Sequence, residues 1–191
     1  FGIFAVDRDG KNSRVLVEPL EMQIKSGRAK IRITNILDLL RDEPDHVLVS
    51  SNNRRAAHPD VYRLNIKNGR QKLVERNPGN IGGWFTDWDG NVIGAGFQDG
   101  LETGFLYLAD RDEDNWEPLI KARFDEPQFS PAGITGDGVN GYVTSNLTPE
   151  GEKRDKAGLY KYNFKTREFG ELVYEHDEID CCNLIQTRKK R

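Results

Sequence analysis

Apolar and polar residues alternate in short runs along most of the chain, a pattern typical of half-buried β-strands rather than of amphipathic helices. Clusters of Gly, Asp and Asn separate the runs, and these residues favour turns. The best helical candidate, Ile36–Arg41, is short and is closely followed by Pro44. We therefore interpret Ile36–Leu40 as a strand and predict an all-β chain.

Four segments repeat one design, in which an alternating strand, a polar turn and a short second strand follow one another. The segments begin at Phe1, Asp60, Gly104 and Gly158. Two of the turns contain the dipeptides Asp9-Gly10 and Asn68-Gly69, whose glycines supply the positive φ that tight hairpin turns need. Each segment therefore predicts a β-hairpin.

A second unit lies between the hairpins. Its strands are His46–Ser51, Asn91–Gly96 and Asn140–Ser145, and each follows an acidic turn and one further strand. His46 and Asn91 are 45 residues apart, and Asn91 and Asn140 are 49 residues apart. Four strands in roughly 45–50 residues is the period of a β-propeller blade.

The repeat predicts a partial β-propeller of about three to four blades, each a four-stranded antiparallel sheet. We place a partial unit at about 1–30, blade-like units at 31–76, 80–122 and 128–176, and the start of a further blade at 177–191. The small residues of Ile93–Gly96 indicate an inner strand, and another is expected over Ile179–Ile185. Because both ends fall inside blades, we expect the chain to be a piece of a longer protein.

Composition first raises the question of disorder, since hydrophobic residues make up 36% of the 191 residues and charged residues 31%. Three Trp, nine Phe and six Tyr argue against disorder. The net charge of −3 is unlike that of a general nucleic-acid binder. No apolar run approaches the roughly 18 residues of a spanning helix, so no membrane span is predicted. No signal peptide opens the chain, and cytoplasmic and periplasmic locations both stay open.

Nucleophilic catalysis needs a Ser or Cys beside an oriented base. None of the serines lies in a G-x-S-x-G turn, the motif that presents a nucleophilic hydroxyl; they are Ser13, Ser26, Ser50, Ser51, Ser130 and Ser145. The histidines His46, His58 and His176 are each interpreted as solvated turn residues. The sequence therefore predicts no catalytic residue.

An acidic cluster at Asp110, Asp112 and Asp114 has the spacing of a calcium loop. The sixth position of such a loop is Gly and the twelfth is Glu, whereas this chain has Asn115 and Lys121. We interpret the cluster as a charged hairpin turn. No metal site and no cofactor are predicted.

Other conspicuous residues receive structural interpretations. Asp87–Gly90 is predicted to be a turn, and Cys181 and Cys182 to be free thiols on opposite faces of one strand, one of them buried. The basic residues 188–191 are interpreted as a solvated end, and the sequon at Asn146 as a chance match.

The ordered succession of sequence motifs in the predicted blades resembles the N-terminal β-propeller of the prolyl oligopeptidase family of serine peptidases. The resemblance spans Ile31 to about Ile179 and is carried by Ile36–Leu40, Asp45–Val49, Asp60–Ile66, Asn68-Gly69, Gly83-Trp84, Thr86-Asp87, Asp89-Gly90, Tyr160–Tyr162 and Leu172–His176. Single motifs are shared with other propellers, and their succession is the more specific signal.

The resemblance implies a propeller that caps a C-terminal α/β-hydrolase domain carrying the Ser-Asp-His triad and the oxyanion hole. No residue of this chain matches those motifs. The implied role is a non-catalytic lid that restricts access to short peptides, so the partners are the hydrolase domain and, indirectly, the peptide substrate. A homo-oligomer formed through open blade faces is a further expectation, because incomplete repeat arrays expose sheet faces.

Two other functions stay open at this point. The propeller could serve as a scaffold for protein–protein interaction, or it could belong to an enzyme of another class, such as a glycosidase or lyase acting at the central channel.

Overall fold

The computed structural model describes residues 2–27, 31–110, 115–123, 126, 129–182 and 184–185. The chain is all-β, as predicted, and α1 is the helix among the described residues. The elements are β1 (Ile3–Ala5), β2 (Arg14–Val17), α1 (Leu20–Lys25), β3 (Thr34–Asp38), β4 (His46–Ser51), β5 (Asp60–Asn65), β6 (Gln71–Glu75), β7 (Ile81–Thr86), β8 (Val92–Asp99), β9 (Glu102–Asp110), β10 (Asn115–Arg123), β11 (Phe129–Ile134), β12 (Asn140–Leu147), β13 (Lys153–Asn163) and β14 (Glu168–Tyr174).

The strands form one hairpin and three four-stranded sheets in which consecutive strands are neighbours. We call β3–β6 blade 1, β7–β10 blade 2 and β11–β14 blade 3; β1 and β2 form the hairpin. The pairs β1–β2, β3–β4, β4–β5, β5–β6, β8–β9, β9–β10, β11–β12, β12–β13 and β13–β14 are antiparallel. This arrangement confirms the predicted four-stranded blades and is that of a partial β-propeller. The chain divides into two compact units, Phe1–Val92 and Ile93–Arg191.

Corresponding turns of blades 1 and 3 are closed by the same kind of side-chain hydrogen bond. The Asn65 side-chain oxygen accepts the backbone N–H groups of Lys67 and Asn68, at 2.9 and 3.1 Å, just after β5. In blade 3, the Asn163 side chain closes the corresponding turn by accepting two backbone N–H groups. Gly10 and Gly69 have φ of 80° and 72°, so both predicted glycine turns are confirmed. An Asn or Asp that binds its own turn ends the strand locally.

The cores of the two units differ in chemistry. In unit 1, Ile3 and Val17 of the hairpin pack with blade 1 residues that include Val47, Val49 and Leu64. In unit 2, blade 3 contains a cluster of edge-to-face aromatic rings. The first cluster is aliphatic apart from Tyr62, whereas the second is aromatic.

The structure corrects the prediction around residues 20–40. The helix α1 is not predicted from the sequence, because apolar residues alternate with polar ones over Leu20–Lys25 as in a strand; in the structure Met22 and Ile24 are exposed. Its Gln23 side chain is buried and binds the backbone of Glu18 and Arg32. The strand expected over Ile36–Leu40 ends at Asp38, since the Asp38 carboxylate accepts the Leu40 N–H at 2.8 Å and Leu40 adopts a φ of 45°.

Two further strand predictions were wrong. Ile93–Gly96 belongs to β8, which lies between β7 and β9 and is not the first strand of its sheet. Within 179–182 and 184–185, the described part of Ile179–Ile185, no strand forms. There the chain bends back, and the Cys181 N–H donates to the Ala157 carbonyl at 2.9 Å. Among the described residues, no helix has the length and apolar character needed to cross a membrane.

Candidate functional site

A polar cluster in unit 1 connects the loop 52–59, between β4 and β5, with the loop 76–80, between β6 and β7. At its centre is the Asp60 carboxylate, whose side chain is fully buried. Arg54 donates to both carboxylate oxygens, through Nε at 2.8 Å and Nη2 at 2.7 Å. The Asn77 backbone N–H and the Tyr62 hydroxyl donate to the same carboxylate at 2.8 and 3.2 Å.

The buried Asn77 side chain ties the second loop to this centre. Its amide oxygen accepts the backbone N–H groups of Gly79 and Ile81, and its amide nitrogen donates to the carbonyls of Pro59 and Ile81. The Trp84 indole N–H of β7 donates to the same Pro59 carbonyl at 2.9 Å. The two loops are therefore held by side chains whose hydrogen bonds are satisfied inside unit 1.

The electrostatics of the cluster favour an ionised acid. Burial alone would raise the pKa of Asp60, but the hydrogen bonds from Arg54, Asn77 and Tyr62 outweigh it and lower the pKa below its usual value. The hydrogen bond with Asp60 raises the pKa of Arg54. Burial, followed by the Asp60 charge, raises the pKa of the Tyr62 hydroxyl.

This arrangement is poorly suited to proton transfer. A general base needs a free lone pair within reach of the proton and a pKa near the working pH. The Asp60 carboxylate already accepts four hydrogen bonds and its pKa is lowered. We conclude that the cluster holds the two loops together, while Arg55 of the first loop is exposed and His58 is half-buried.

The predicted histidines lie in three separate places. His46 begins β4 and is half-buried, with Nδ1 3.6 Å from the Glu43 carboxylate and Nε2 3.3 Å from the Asn65 amide nitrogen. His58 lies in the loop 52–59. His176 is exposed, and its Nδ1 accepts the Glu178 N–H at 3.1 Å. No constellation of histidines forms among the described residues.

The serines serve structural roles where their side chains are bonded. The buried Ser51 and Thr34 hydroxyls share a hydrogen bond of 2.8 Å between β4 and β3. The Ser145 hydroxyl bonds the backbone of Leu147 at the end of β12. Among the described residues, no serine hydroxyl is hydrogen-bonded to a histidine.

The predicted turn at Asp87–Gly90 is present. The Asp87 carboxylate accepts the N–H groups of Asp89 and Asn91, and Asp137 closes the corresponding turn of blade 3 in the same way. Of the calcium-like cluster, Asp112 and Asp114 lie outside the described residues. The described part of the chain holds no group of three His, Cys, Asp or Glu that could bind a metal ion.

Neither Cys181 nor Cys182 forms a disulfide, as predicted; the first is half-buried and the second is exposed. They do not lie on a strand, which corrects the expected placement. Burial raises the pKa of Cys181, and the neighbouring thiol adds to this shift. Asn146 is half-buried within β12, and residues 188–191 lie outside the described residues.

Sequence reasoning missed the Asp60 cluster. It treated Asp60 only as the start of a hairpin. The available signal was the difference between repeats, because the matching position in blade 3 is Gly158. An acid at the first residue of a strand, six residues after Arg54, indicates an ion pair between the two side chains.

Comparison with known proteins shows a similarity in sequence to a peptidase. Over 105 residues the chain is 30% identical to dipeptidyl aminopeptidase BIII of Pseudoxanthomonas mexicana, and the match covers 54% of this chain and 15% of that protein. The chain thus spans a small part of the relative's length. No protein-family model matches the chain.

Solved structures agree with the fold. TolB from Acinetobacter baumannii superposes with a TM-score of 0.51 over 90% of this chain and 37% of that chain, at 13% sequence identity. At this identity the likeness concerns the fold alone. The chain therefore has the architecture of a partial β-propeller, and half of it is similar in sequence to part of a peptidase.

Proposed function

We propose that the chain is the propeller portion of a serine peptidase of the prolyl oligopeptidase family and acts as a non-catalytic lid over a hydrolase domain that lies outside these residues. The observation that carries the proposal is the 105-residue similarity to a dipeptidyl aminopeptidase. The blade architecture is consistent with it, because the TolB likeness and the sheet order describe a propeller.

The chemistry of the described residues supports a passive role. The best-formed polar cluster uses its acid to hold two loops, and its carboxylate has no capacity left for proton transfer. A lid needs stiff walls, since a wall that opens readily admits larger substrates. The blade sheets provide such walls, because Asn and Asp side chains close their turns by hydrogen bonds and the Asp60 cluster holds two loops together.

The test uses the longest natural polypeptide that contains these residues. We expect that polypeptide to contain a G-x-S-x-G segment after this region and to hydrolyse a chromogenic dipeptide substrate. We expect it to cleave short peptides and to leave intact a folded protein that contains the same cleavage sequence. The serine-to-alanine variant of the G-x-S-x-G segment is the matched control and should be inactive.

The isolated 191 residues provide the second arm. We expect them to show no peptidase activity. Peptide hydrolysis by the isolated chain, or a longer polypeptide without a hydrolase region, would contradict the proposal. Cleavage of folded proteins and short peptides at equal rates would contradict the role as a lid but not the peptidase activity.

A further inference from the structure

The end of blade 1 that carries the Asp60 cluster is rich in arginine. Three described segments meet there, because β3 and β5 begin and β4 and β6 end at the same edge of the sheet. The segments are 31–33 before β3, the loop 52–59 and the loop 76–80. They contain no Asp or Glu, and their basic residues other than His58 are Arg32, Arg54, Arg55 and Arg76. We call this edge the arginine end of blade 1.

Two of these arginines extend from the first loop to the second. Arg54 is fixed by Asp60, and its Nη2 also donates to the Asn77 carbonyl at 3.1 Å. The Nη1 of Arg54 donates to none of the described residues. Arg55 is exposed, and its Nη1 lies 3.8 Å from the position that a Cβ would take at Gly79. The first loop therefore places two neighbouring guanidinium groups against the second loop.

The other positive charges of the arginine end have no acidic partner in the described part of the chain. Asp60 pairs with Arg54, and the Glu75 carboxylate accepts the backbone N–H of Arg76 rather than its guanidinium. Burial and the Asp60 charge raise the pKa of Tyr62, and the positive charge of Arg32 opposes this shift, which indicates that Arg32 lies near the cluster. Uncompensated like charges repel one another, so their collection at one edge is unfavourable unless an anion binds there.

The opposite end of the same blade is built differently. There, basic side chains meet acids of the loop between β3 and β4. Lys67 pairs with Asp45 at 2.6 Å, and Arg63 pairs with Glu43 at 2.9 Å. Blade 1 thus pairs its charges at one end and leaves guanidinium groups available at the other.

The corresponding end of blade 3 has the reverse charge. The segments 148–152, between β12 and β13, and 175–180, after β14, contain no Lys or Arg. They contain six acids, which are Glu150, Glu152, Glu175, Asp177, Glu178 and Asp180. A blade of this plan therefore forms without arginines at this end, and the arginines of blade 1 need an explanation other than the fold.

We propose that the arginine end of blade 1 is an anion site that binds peptide carboxylates, from acidic side chains or from the C-terminus. The planar guanidinium group matches a carboxylate through two parallel hydrogen bonds, which the compact ammonium group of lysine does not. Arg54 is held in place by a buried acid, so it offers Nη1 with little loss of side-chain freedom. Arg55 supplies a second guanidinium group beside it.

The choice of a peptide as the source of the carboxylate rests on the proposed peptidase function, whereas anion binding at these arginines does not. A guanidinium group binds phosphate as well as carboxylate. A peptidase lid meets peptides, and a basic edge on a chain of net charge −3 attracts those that carry acids. The inference thus assigns acidic peptides and free C-termini as the ligands of this edge.

The test measures the binding of three tetrapeptides to the longest natural polypeptide that contains these residues, in its serine-to-alanine form if the wild type cleaves them. One peptide has two central glutamates and blocked ends, the second has two glutamines and a free C-terminus, and the third has two glutamines and blocked ends. We expect at least one carboxylate peptide to bind about tenfold or more tightly than the third, with the difference shrinking as salt is added. The first two peptides distinguish a side-chain carboxylate from a terminal one.

Arg55→Gln and Arg76→Gln should each weaken binding of the preferred peptide by about fivefold, because each removes a charged donor. Both residues are exposed, so the unfolding midpoint should stay unchanged. Arg70→Gln is the matched control, since Arg70 is exposed at the opposite end of blade 1 and its loss changes the net charge equally. It should leave the affinity unchanged.

Equal binding of the three peptides would overturn the inference, and so would an equal loss in Arg55→Gln and Arg70→Gln, which would indicate a general charge effect. Tighter binding of a single-stranded oligonucleotide than of either carboxylate peptide, weakened by Arg55→Gln, would overturn it in favour of a nucleic-acid site. Hydrolysis is measured separately. A polypeptide that binds the carboxylate peptide without cleaving any peptide would contradict the proposed function alone, and an active peptidase without this preference would contradict the inference alone.

Discussion

In blade 1, Leu64 lies fully buried in β5, and in blade 3 the same register position holds Tyr162, which is 4% exposed. The surrounding positions follow the same division. Leu64 lies in a mainly aliphatic cluster with Val47 and Val49, whereas Tyr162 makes edge-to-face contacts with Phe129, Phe164 and Phe169. The two blades share strand order and turn chemistry, so one backbone plan accepts two different fillings.

The blades also differ in how they satisfy the tyrosine at the next matching position. The Tyr62 hydroxyl donates to the buried Asp60, which pairs with Arg54. In blade 3, Arg154 donates to the Tyr160 hydroxyl at 3.3 Å and also pairs with Glu175, whose side chain is 44% exposed. Each blade uses an acid, an arginine and a tyrosine, but only blade 1 buries the acid. The comparison shows that the two blades share their turn chemistry, whereas the hydrogen bonds among acid, arginine and tyrosine differ between them.

The largest expected effect comes from opening the aromatic core of blade 3. Tyr162→Ala should lower the free energy of unfolding by about 4 kcal/mol, because it removes a large buried side chain and leaves a cavity. Tyr174→Ala is the matched control, as Tyr174 is 52% exposed in the adjacent β14. Urea unfolding followed by circular dichroism measures both. Equal losses in the two variants would show that the aromatic cluster is not a core.

The second effect separates the buried acid from the exposed one. Asp60→Asn should lower the free energy of unfolding by about 3 kcal/mol, because it breaks a buried charge pair and leaves an amide N–H group facing other donors. Glu175→Gln should change it by less than about 1 kcal/mol, since that pair is partly solvated. The same unfolding assay compares them. A larger loss for Glu175→Gln would reverse the assignment of the two ties.

The third expectation concerns acid. The pKa of Asp60 is lowered in the folded state, so its stabilising contribution is complete above its unfolded pKa near 4 and is lost as the pH falls through the folded value. The pKa of Asp137 is also lowered: burial opposes the shift, and hydrogen bonds from Asn140 and the Val139 N–H outweigh it. We expect the wild-type unfolding midpoint to drop as the pH falls below about 4.

The variants Asp60→Asn and Asp137→Asn should each show a shallower decline over the same acid range. Unfolding midpoints measured at a series of pH values give these slopes. If neither variant flattens the decline, other carboxylates control acid unfolding.

The smallest effect is expected at a surface position that the two blades share. Arg63 of blade 1 pairs with Glu43 at 2.9 Å, and Lys161 at the matching position of blade 3 pairs with Glu171 at 2.7 Å. Arg63→Ala and Lys161→Ala should shift the unfolding midpoint little, and high salt should remove any difference from the wild type. A large shift that persists in high salt would show that one of these pairs is structural.

Much of the fold was predictable because it depends on local chemistry. Period-two alternation, the glycine turns after β1 and β5, and the spacing of His46, Asn91 and Asn140 all follow from short stretches of chain. The candidate site was not predictable in the same way. Asp60, Arg54 and Asn77 acquire their roles only when two loops separated by β5 and β6 come together.

The sequence by itself determined the four-stranded repeat, the turn positions and the absence of a recognisable nucleophile motif, because turns and alternation are properties of neighbouring residues. Only the tertiary structure decided where β3 ends, that Gln23 supports a helix with exposed apolar residues, and that Asp60 is buried among donors. It also decided that the Ile36 side chain is 50% exposed. Burial depends on which sheet packs against a strand, and the sequence of the strand does not determine which sheet that is.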